Sequence, residues 1–215
     1  MELLRSDASI LLCVKPAGVL STDEPGGVPS LAREALGDAS AEVYTVHRLD
    51  RVAAGLMLLA RSREAAAALG RQIMAHGFEK EYLAVVHGAP VDMTGTFRDL
   101  LLRDRRECKT YPVSAPQKGA QEAMLDYRVL QSKNAPALSL VRVTLRTGRT
   151  HQIRAQFSAR GLPLVGDRKY GHPEDACPLA LWSYRLAFDH PERGARVDMT
   201  LPPPEIYPWT EFAPC

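Results

Sequence analysis

Short apolar runs bounded by glycine, proline or aspartate recur along this chain, and such runs favour β-strands. They predict strands over residues 10–14, 56–60, 82–86 and 138–145, with two more near 124–130 and 180–188. Strands therefore dominate the predicted structure.

Three other segments carry apolar residues at helical spacing, and each has recognisable ends. They cover residues 29–36, 64–76 and about 150–160, and the second starts after Ser62, a residue that caps helices well. A glycine stops each segment: Gly37, Gly77 and Gly161. Because the strands outnumber the helices and do not alternate with them regularly, we expect an α+β fold with a mixed sheet rather than a doubly wound one.

The composition is that of an ordinary globular protein, with 215 residues of which 46% are hydrophobic and 24% charged. A chain of this size can bury a core, and a single domain is the default. The early apolar run at 10–14 is too short for a secretory signal or a membrane span, so we expect a cytoplasmic protein.

The cysteines are scattered without a C-x-x-C pair and are expected to be reduced and mostly structural: Cys13, Cys108, Cys177 and Cys215.

The net charge of +2 and the pI of about 8.4 are lower than expected of a domain that binds nucleic acid by charge alone. An RNA partner would need a localised basic patch. Residues 98–118 are one candidate, with six basic residues against three acidic ones. They lie within a long polar connection, 88–121, which predicts a functional or disordered loop that is mobile without RNA. The alternative is an ordinary solvated loop.

The segment His47-Arg48-Leu49-Asp50-Arg51 stands immediately before the apolar run of the second predicted strand. A carboxylate between two arginines at the mouth of a buried strand has its charged form stabilised and its position fixed. These residues alone favour the alternative of a structural salt bridge in a turn.

Two further segments combine polar groups with structured runs. In Lys80 to Gly88, strand alternation can present the phenol of Tyr82 to a cleft, although most such tyrosines are simply packed. In the segment 146–154, Thr150 can cap the third helix, and His151 and Arg154 share one of its faces. This terminus either binds phosphate or is only a basic capped helix. The six histidines have no metal-ligand spacing and no phosphate-binding glycine loop is present, so we expect chemistry by side chains alone.

Read in order, HRLDRVAAGLMLLA, KEYLAVVHG and RTGRTHQIRAQFSARGLPLVGDRKYG resemble the successive motifs of the RluA-type pseudouridine synthases. LLCVKPAGVLST resembles the family's opening strand, GAQEAMLDYRVL its central hairpin, and LALWSYRLAFDHP with MTLPPP its closing strands. The resemblance implies one catalytic domain over residues 1–215, without an appended N-terminal RNA-binding domain, on a mixed, largely antiparallel sheet flanked by helices and loops. It also implies a cofactor-free, metal-free and monomeric isomerase that acts on uridines in structured rRNA or tRNA.

The resemblance assigns roles to the same positions. It makes Asp50 the catalytic carboxylate, Tyr82 the residue that stacks on the uracil, and Arg154 the partner that holds Asp50 ionised. Arg48 matches the residue that fills the RNA stack when the base has left it. We expect RNA contacts from the following residues: Arg48, Arg51, Arg103, Arg105, Arg106, Lys109, Arg149 and His151.

Two departures from the family pattern bear on the site. Ala53 and Ala54 replace a Thr-Ser pair that could support the loop, and Trp182 stands where a histidine is common. A non-catalytic RNA-binding protein on the same scaffold is the main alternative, and the intact set of Asp50, Tyr82 and Arg154 argues against it. A glycoside hydrolase, which would need a second carboxylate as its acid, is a second alternative.

Overall fold

A computed structural model describes residues 1–213, and its backbone forms two compact units. The first unit comprises Met1–Lys80 and Trp182–Pro202, and the second comprises Glu81–Leu181 and the residues from Pro203 onward. The expectation of one catalytic domain over the whole chain stays a prediction. In chain order the described elements are β1 (Glu2–Ser6), β2 (Ile10–Lys15), α1 (Val28–Leu36), β3 (Tyr44–Thr45), β4 (Ala54–Ala60), α2 (Arg63–Met74), β5 (Glu79–His87), β6 (Thr94–Asp104), β7 (Lys109–Val113), β8 (Gln121–Asn134), β9 (Ala137–Leu145), α3 (Gln152–Ser158), β10 (Leu181–Asp189), β11 (Arg196–Thr200) and a 3₁₀ turn (Trp209–Glu211).

The first unit is built on strands in the order β1-β2-β4-β10, with β11 on β10 and the short β3 on β4. All of these pairs are antiparallel except β10 with β4, which are parallel. Ile10 and Leu12 of β2 pack in the cluster that contains α2, whereas Leu11 and Cys13 pack in the one that contains α1. β2 is an uninterrupted apolar run because both of its faces are covered.

Gly55 lies where β4 starts to pair with β10, directly after the Asp50 segment. Its φ of +114° is open only to glycine, and a Cβ atom there would lie 2.5 Å from the carbonyl oxygen of Ser183. The parallel strands therefore approach each other closely at the point where the Asp50 segment enters the sheet.

The second unit is an antiparallel sheet in the order β5-β9-β8-β6-β7, with α3 packed against one face. Ala155 of α3 contacts Leu101 and Ala123, and Phe157 stacks edge-on against Phe97. The expected α+β class with a mixed, largely antiparallel sheet is confirmed.

The long connection between residues 88 and 121 is not the loop that its polarity predicted. It forms the hairpin of β6 and β7, whose turn is residues 105–108. Phe97, Leu101 and Thr110 are buried along the hairpin and Arg98 is exposed, but Asp99 and Arg103 share the strand face of Phe97 and Leu101. The prediction was wrong because these charges interrupt the apolar face of β6 and obscure the period of two.

The first two helices begin and end as predicted, to within two residues. Gly37 ends α1 in the left-handed conformation, and the Ser62 hydroxyl accepts the N–H of Ala65 at the start of α2. The third helix is shorter than predicted, and Thr150 does not cap it. The chain instead turns at His151, whose φ is 55°, and the Gln152 side chain accepts the N–H of Arg149. Phosphate binding at this terminus stays a prediction.

Three cysteines are free thiols in the described part of the chain, with Cys13 and Cys177 buried and Cys108 exposed, while Cys215 lies outside it. Burial raises the pKa of Cys13 to about 12, which keeps it a neutral core residue.

The proline-rich end of the chain closes with the 3₁₀ turn, after which Gln131 and Ala213 exchange two hydrogen bonds. No helix among residues 1–213 has the length and apolar character needed to cross a membrane.

Candidate active site

The candidate catalytic carboxylate belongs to residues 47–53, which we call the Asp50 loop. In this loop some side chains are buried in the protein and the others point to solvent. His47, Leu49 and Ala53 are buried, whereas Arg48 and Val52 are exposed and Asp50 is half-buried. The backbone of the loop is therefore fixed independently of the side chains that it presents to solvent.

Ser21 holds the centre of the Asp50 loop. Its hydroxyl accepts the N–H of Leu49 at 3.1 Å and donates to the carbonyl oxygen of the same residue at 2.9 Å. The carbonyl of Ser21 in turn accepts the hydroxyl of Thr45. One buried hydroxyl thus satisfies both backbone groups of the residue that precedes Asp50.

Lys15 holds the far end of the same loop. Its side chain is completely buried, and its ammonium donates to the carbonyl oxygens of Pro16 at 3.0 Å, Arg51 at 3.1 Å and Ala53 at 2.7 Å. All three N–H groups are used, which is the condition for keeping such a charge in a protein interior. Burial lowers the pKa of Lys15 to about 8, and the negative charge of Asp50 acts in the opposite direction.

Arg51 is more involved in the fold than the sequence suggested. Its Nε donates to the carbonyl of Gly18 at 2.9 Å, while its own carbonyl accepts the N–H of Gly18 at 2.7 Å. Gly18 has a φ of 88°, so a glycine suits this close exchange. Any RNA contact of Arg51 must come from a guanidinium that is already anchored.

The two departures from the family pattern have structural explanations. Ala53 lacks a hydroxyl, but its N–H donates to the carbonyl of Asp50 at 3.1 Å and its carbonyl is bound by Lys15. Trp182 is buried and donates its indole N–H to Leu201 at 2.8 Å. Backbone groups and Lys15 thus support the loop where relatives could use hydroxyls.

In the second unit, Arg154 is held by a residue that the sequence analysis missed. Asp167 accepts Nε of Arg154 at 2.7 Å and Nη2 at 2.8 Å, and both side chains are almost fully buried. Asp167 also accepts the backbone N–H groups of Lys169 and Tyr170. The pairing of Arg154 with Asp50 stays a prediction. The available signal for Asp167 was its place in the motif GDRKYG, between a glycine turn and an exposed lysine.

Tyr170 connects Arg154 to the β6–β7 hairpin. Its ring lies 5.0 Å from the guanidinium carbon of Arg154 and 5.1 Å from Nζ of Lys109. Its hydroxyl accepts the N–H of Thr110 at 2.6 Å and lies 2.9 Å from Nδ1 of His151. Burial raises the pKa of Tyr170, so it remains a neutral phenol. The hairpin is therefore tied to the loop that carries Asp167.

The other predicted residues of the second unit are placed as follows. Tyr82 is a buried residue of β5, in register with Val143. Arg149 donates its Nε to the carbonyl of Glu122. The hairpin arginines Arg103, Arg105 and Arg106 are exposed.

A family model described as RNA pseudouridylate synthase matches residues 9–159 of this chain. The chain belongs to this family. An RNA pseudouridine synthase of Aquifex aeolicus is 30% identical over 98% of this chain and 73% of its own length. The tRNA pseudouridine synthase C of Pectobacterium carotovorum is 31% identical over 90% of this chain and 57% of its own. The ribosomal large subunit pseudouridine synthase D of Neisseria meningitidis is 29% identical over 96% and 59%.

A solved structure shares this fold. The structure of human RNA Pseudouridylate Synthase Domain Containing 1 superposes with a TM-score of 0.82, covering 100% of this chain and 88% of that one, at 21% identity. The resemblance read from the sequence is thus confirmed. Pseudouridine synthases are isomerases that convert uridine in RNA to pseudouridine, and this chain is one of them.

Replacing Lys15 by Met should slow pseudouridine formation at least about tenfold while the protein still folds. The change removes a buried charge, which favours folding, but it takes this donor from the carbonyls of Pro16 and Ala53, at about 1–3 kcal/mol for each group that water cannot reach, while the Arg51 carbonyl keeps the N–H of Gly18. The Asp50 loop then loses its far anchor. Thermal melting and single-turnover rates would be compared with those of Lys133→Met, a partly exposed lysine of the second unit. A wild-type rate in Lys15→Met would show that the loop needs no such anchor.

Proposed function

We propose that this chain modifies specific uridines in structured rRNA or tRNA, with Asp50 as the catalytic carboxylate. The observation that supports this best is the Asp50 loop, in which a half-buried carboxylate projects from a backbone held by Lys15, Ser21 and His47. A group that must meet the sugar or the base in one geometry is best presented from a rigid support. The choice between rRNA and tRNA is open, since relatives are named for either substrate.

The proposed reaction needs no external atoms. The bond between N1 of the uracil and C1′ of the ribose breaks, the uracil turns within the site, and C5 bonds to C1′. N1 ends with a proton and the proton of C5 is lost, so the composition of the nucleotide is unchanged. Asp50 acts on the sugar or the base during this exchange, and Tyr82 stacks on the uracil. The role of Arg154 as the cation that pairs with Asp50 rests on the family resemblance.

Base flipping is the second part of the proposal. A uracil within a stem or a folded loop is out of reach of a carboxylate, and extracting it costs a few kcal/mol of stacking and pairing. Arg48 is exposed beside Asp50, and its planar guanidinium is suited to stack in the gap that the base leaves.

The proposed RNA surface of the second unit centres on the β6–β7 hairpin. Arg103, Arg105 and Arg106 stand exposed at its end, close in sequence to Lys109. Lys109 and His151 both contact Tyr170, so phosphates bound there would meet side chains that are already oriented. We also propose that the protein acts as a monomer in the cytoplasm, where both candidate classes of RNA are found.

Asp50→Asn should abolish pseudouridine formation and leave folding and RNA affinity near wild type, because the amide keeps the shape and removes the charge. The measurement is tritium release from RNA labelled at C5 of uridine, together with a binding titration. Asp92→Asn, a change at an exposed carboxylate of the second unit, is the matched control and should be fully active. Substantial turnover by Asp50→Asn would remove this residue from the chemistry.

Arg48→Ala should slow the reaction more on a uridine held in a stem or folded loop than on an unstructured oligonucleotide with the same flanking sequence. Only the structured substrate incurs the unstacking cost that Arg48 is proposed to offset. Thermal stability should change little, because an exposed arginine contributes little to folding. Single-turnover rates on both substrates provide the test, and an equal loss on the two would assign Arg48 to general binding or to the chemistry.

Neutralising Arg103, Arg105 and Arg106 together should weaken RNA binding and lower the slope of log affinity against log salt by up to about 2, at roughly 0.7 per lost phosphate contact on single strands. The control is a triple variant of exposed arginines in the first unit, Arg63, Arg71 and Arg193. Its slope should stay at the wild-type value. If both triple variants behave alike, the hairpin is only a solvated charged surface.

A further inference from the structure

His47 takes the place of a strand at the point where β3 ends. The short β3 pairs with β4 through Tyr44 opposite Ala60 and Thr45 opposite Leu59. The backbone N–H of the next residue of β4, Leu58, does not bind a strand carbonyl on this side. It donates to Nε2 of the His47 side chain at 3.0 Å. An imidazole nitrogen thus acts where the sheet would otherwise require another residue of backbone.

This contact fixes the protonation state of His47. A backbone N–H can only donate, so Nε2 must carry no proton and the ring must be the neutral Nδ1–H tautomer. The side chain is buried, with the ring of Phe78 at 5.4 Å. Burial lowers its pKa to about 3, and the positive charge of Lys80 on β5 acts in the same direction. His47 is therefore an acceptor at every pH at which the protein works.

Within the described part of the chain, the contact leaves one buried nitrogen of His47 without a hydrogen bond, which a simple packing role does not explain. Nδ1 of His47 is buried and has no hydrogen-bond partner among residues 1–213, although it carries the proton. A continued β3 strand would satisfy Leu58 without leaving a buried donor unpaired. With the histidine as acceptor, the chain can stop pairing with β4 after residue 45. It turns away from β4 at residue 46 and reaches Asp50 three residues after His47.

We infer that His47 is a positioning residue for the reaction at Asp50, a neutral hydrogen-bond acceptor that fixes the start of the Asp50 loop against β4. This inference rests on the proposed function, because it assigns Asp50 the chemistry. It predicts that the acceptor atom matters, while the imidazole ring and its proton do not. A glutamine, whose Oε1 has a similar reach, should replace it.

The first test compares His47→Gln with His47→Met, which fills similar space and cannot accept the N–H of Leu58 well. His47→Met should lose at least about thirtyfold in the single-turnover rate constant, with RNA affinity within about threefold of wild type. His47→Gln should recover to within about threefold of the wild-type rate. Leu69→Ala, a core change in α2, is the control for stability alone, and its rate should match wild type well below its melting temperature.

Two kinetic outcomes would overturn the inference. A wild-type rate in His47→Met would show that the acceptor is not needed, and equal losses in His47→Met and His47→Gln would show that the ring itself matters. Failure of the proposed function is distinguishable from both, since Asp50→Asn would then keep substantial turnover. If His47→Met does not fold, the single-turnover rates of His47→Gln and Leu69→Ala are compared instead. A rate of His47→Gln far below that of Leu69→Ala would overturn the inference.

The second test reads the tautomer directly and needs no activity. In protein labelled with ¹⁵N-histidine, His47 should show a protonated Nδ1 and an unprotonated Nε2, with no change between about pH 8 and about pH 5. A through-bond coupling from Nε2 to the amide of Leu58 should accompany it. A titration in that window, or the opposite tautomer, would rule out the acceptor role.

Discussion

The buried ammonium of Lys15 is the interaction on which the architecture of the first unit's site depends. Placing a charge in a protein interior is costly, and it persists only where hydrogen bonds replace those that water supplied. Here the replacements are carbonyls of Pro16, Arg51 and Ala53, so the cost of burying one amine is offset only if the Asp50 loop closes around it. Lys15 also ends β2, a strand covered on both faces, which makes its position rigid.

The second unit also contains a buried cation that is stabilised by hydrogen bonds. Arg154 is buried against Asp167, which also accepts the backbone N–H groups of Lys169 and Tyr170. Removing Asp167 would leave a buried arginine without its partner, and a buried pair broken in this way typically costs about 3–5 kcal/mol. Each unit thus holds one buried cation in a fixed place through hydrogen bonds to its own residues.

The parts of this structure that sequence could predict are those with a local cause. β2, β4 and α1 follow from apolar runs and a terminal glycine, and Asp50 was found because its neighbours in the chain form a recognisable motif. The partners of the site could not be predicted in this way. Lys15 is 35 residues from Asp50 in sequence, and Ser21 lies 28 residues from the Leu49 groups that it binds. Such contacts are decided by the fold, and a lysine after an apolar strand normally faces water.

The separation between held and projecting residues in the Asp50 loop bears on how such an enzyme diversifies. The fixed backbone depends on residues 15, 21 and 47, whereas the exposed side chains of Arg48 and Val52 contribute little to holding it. Substitutions at the two exposed positions therefore cost the fold little while they alter what a neighbouring nucleotide meets. Under the role proposed for Arg48, variation at these two positions is limited by what the bound RNA tolerates rather than by the stability of the fold.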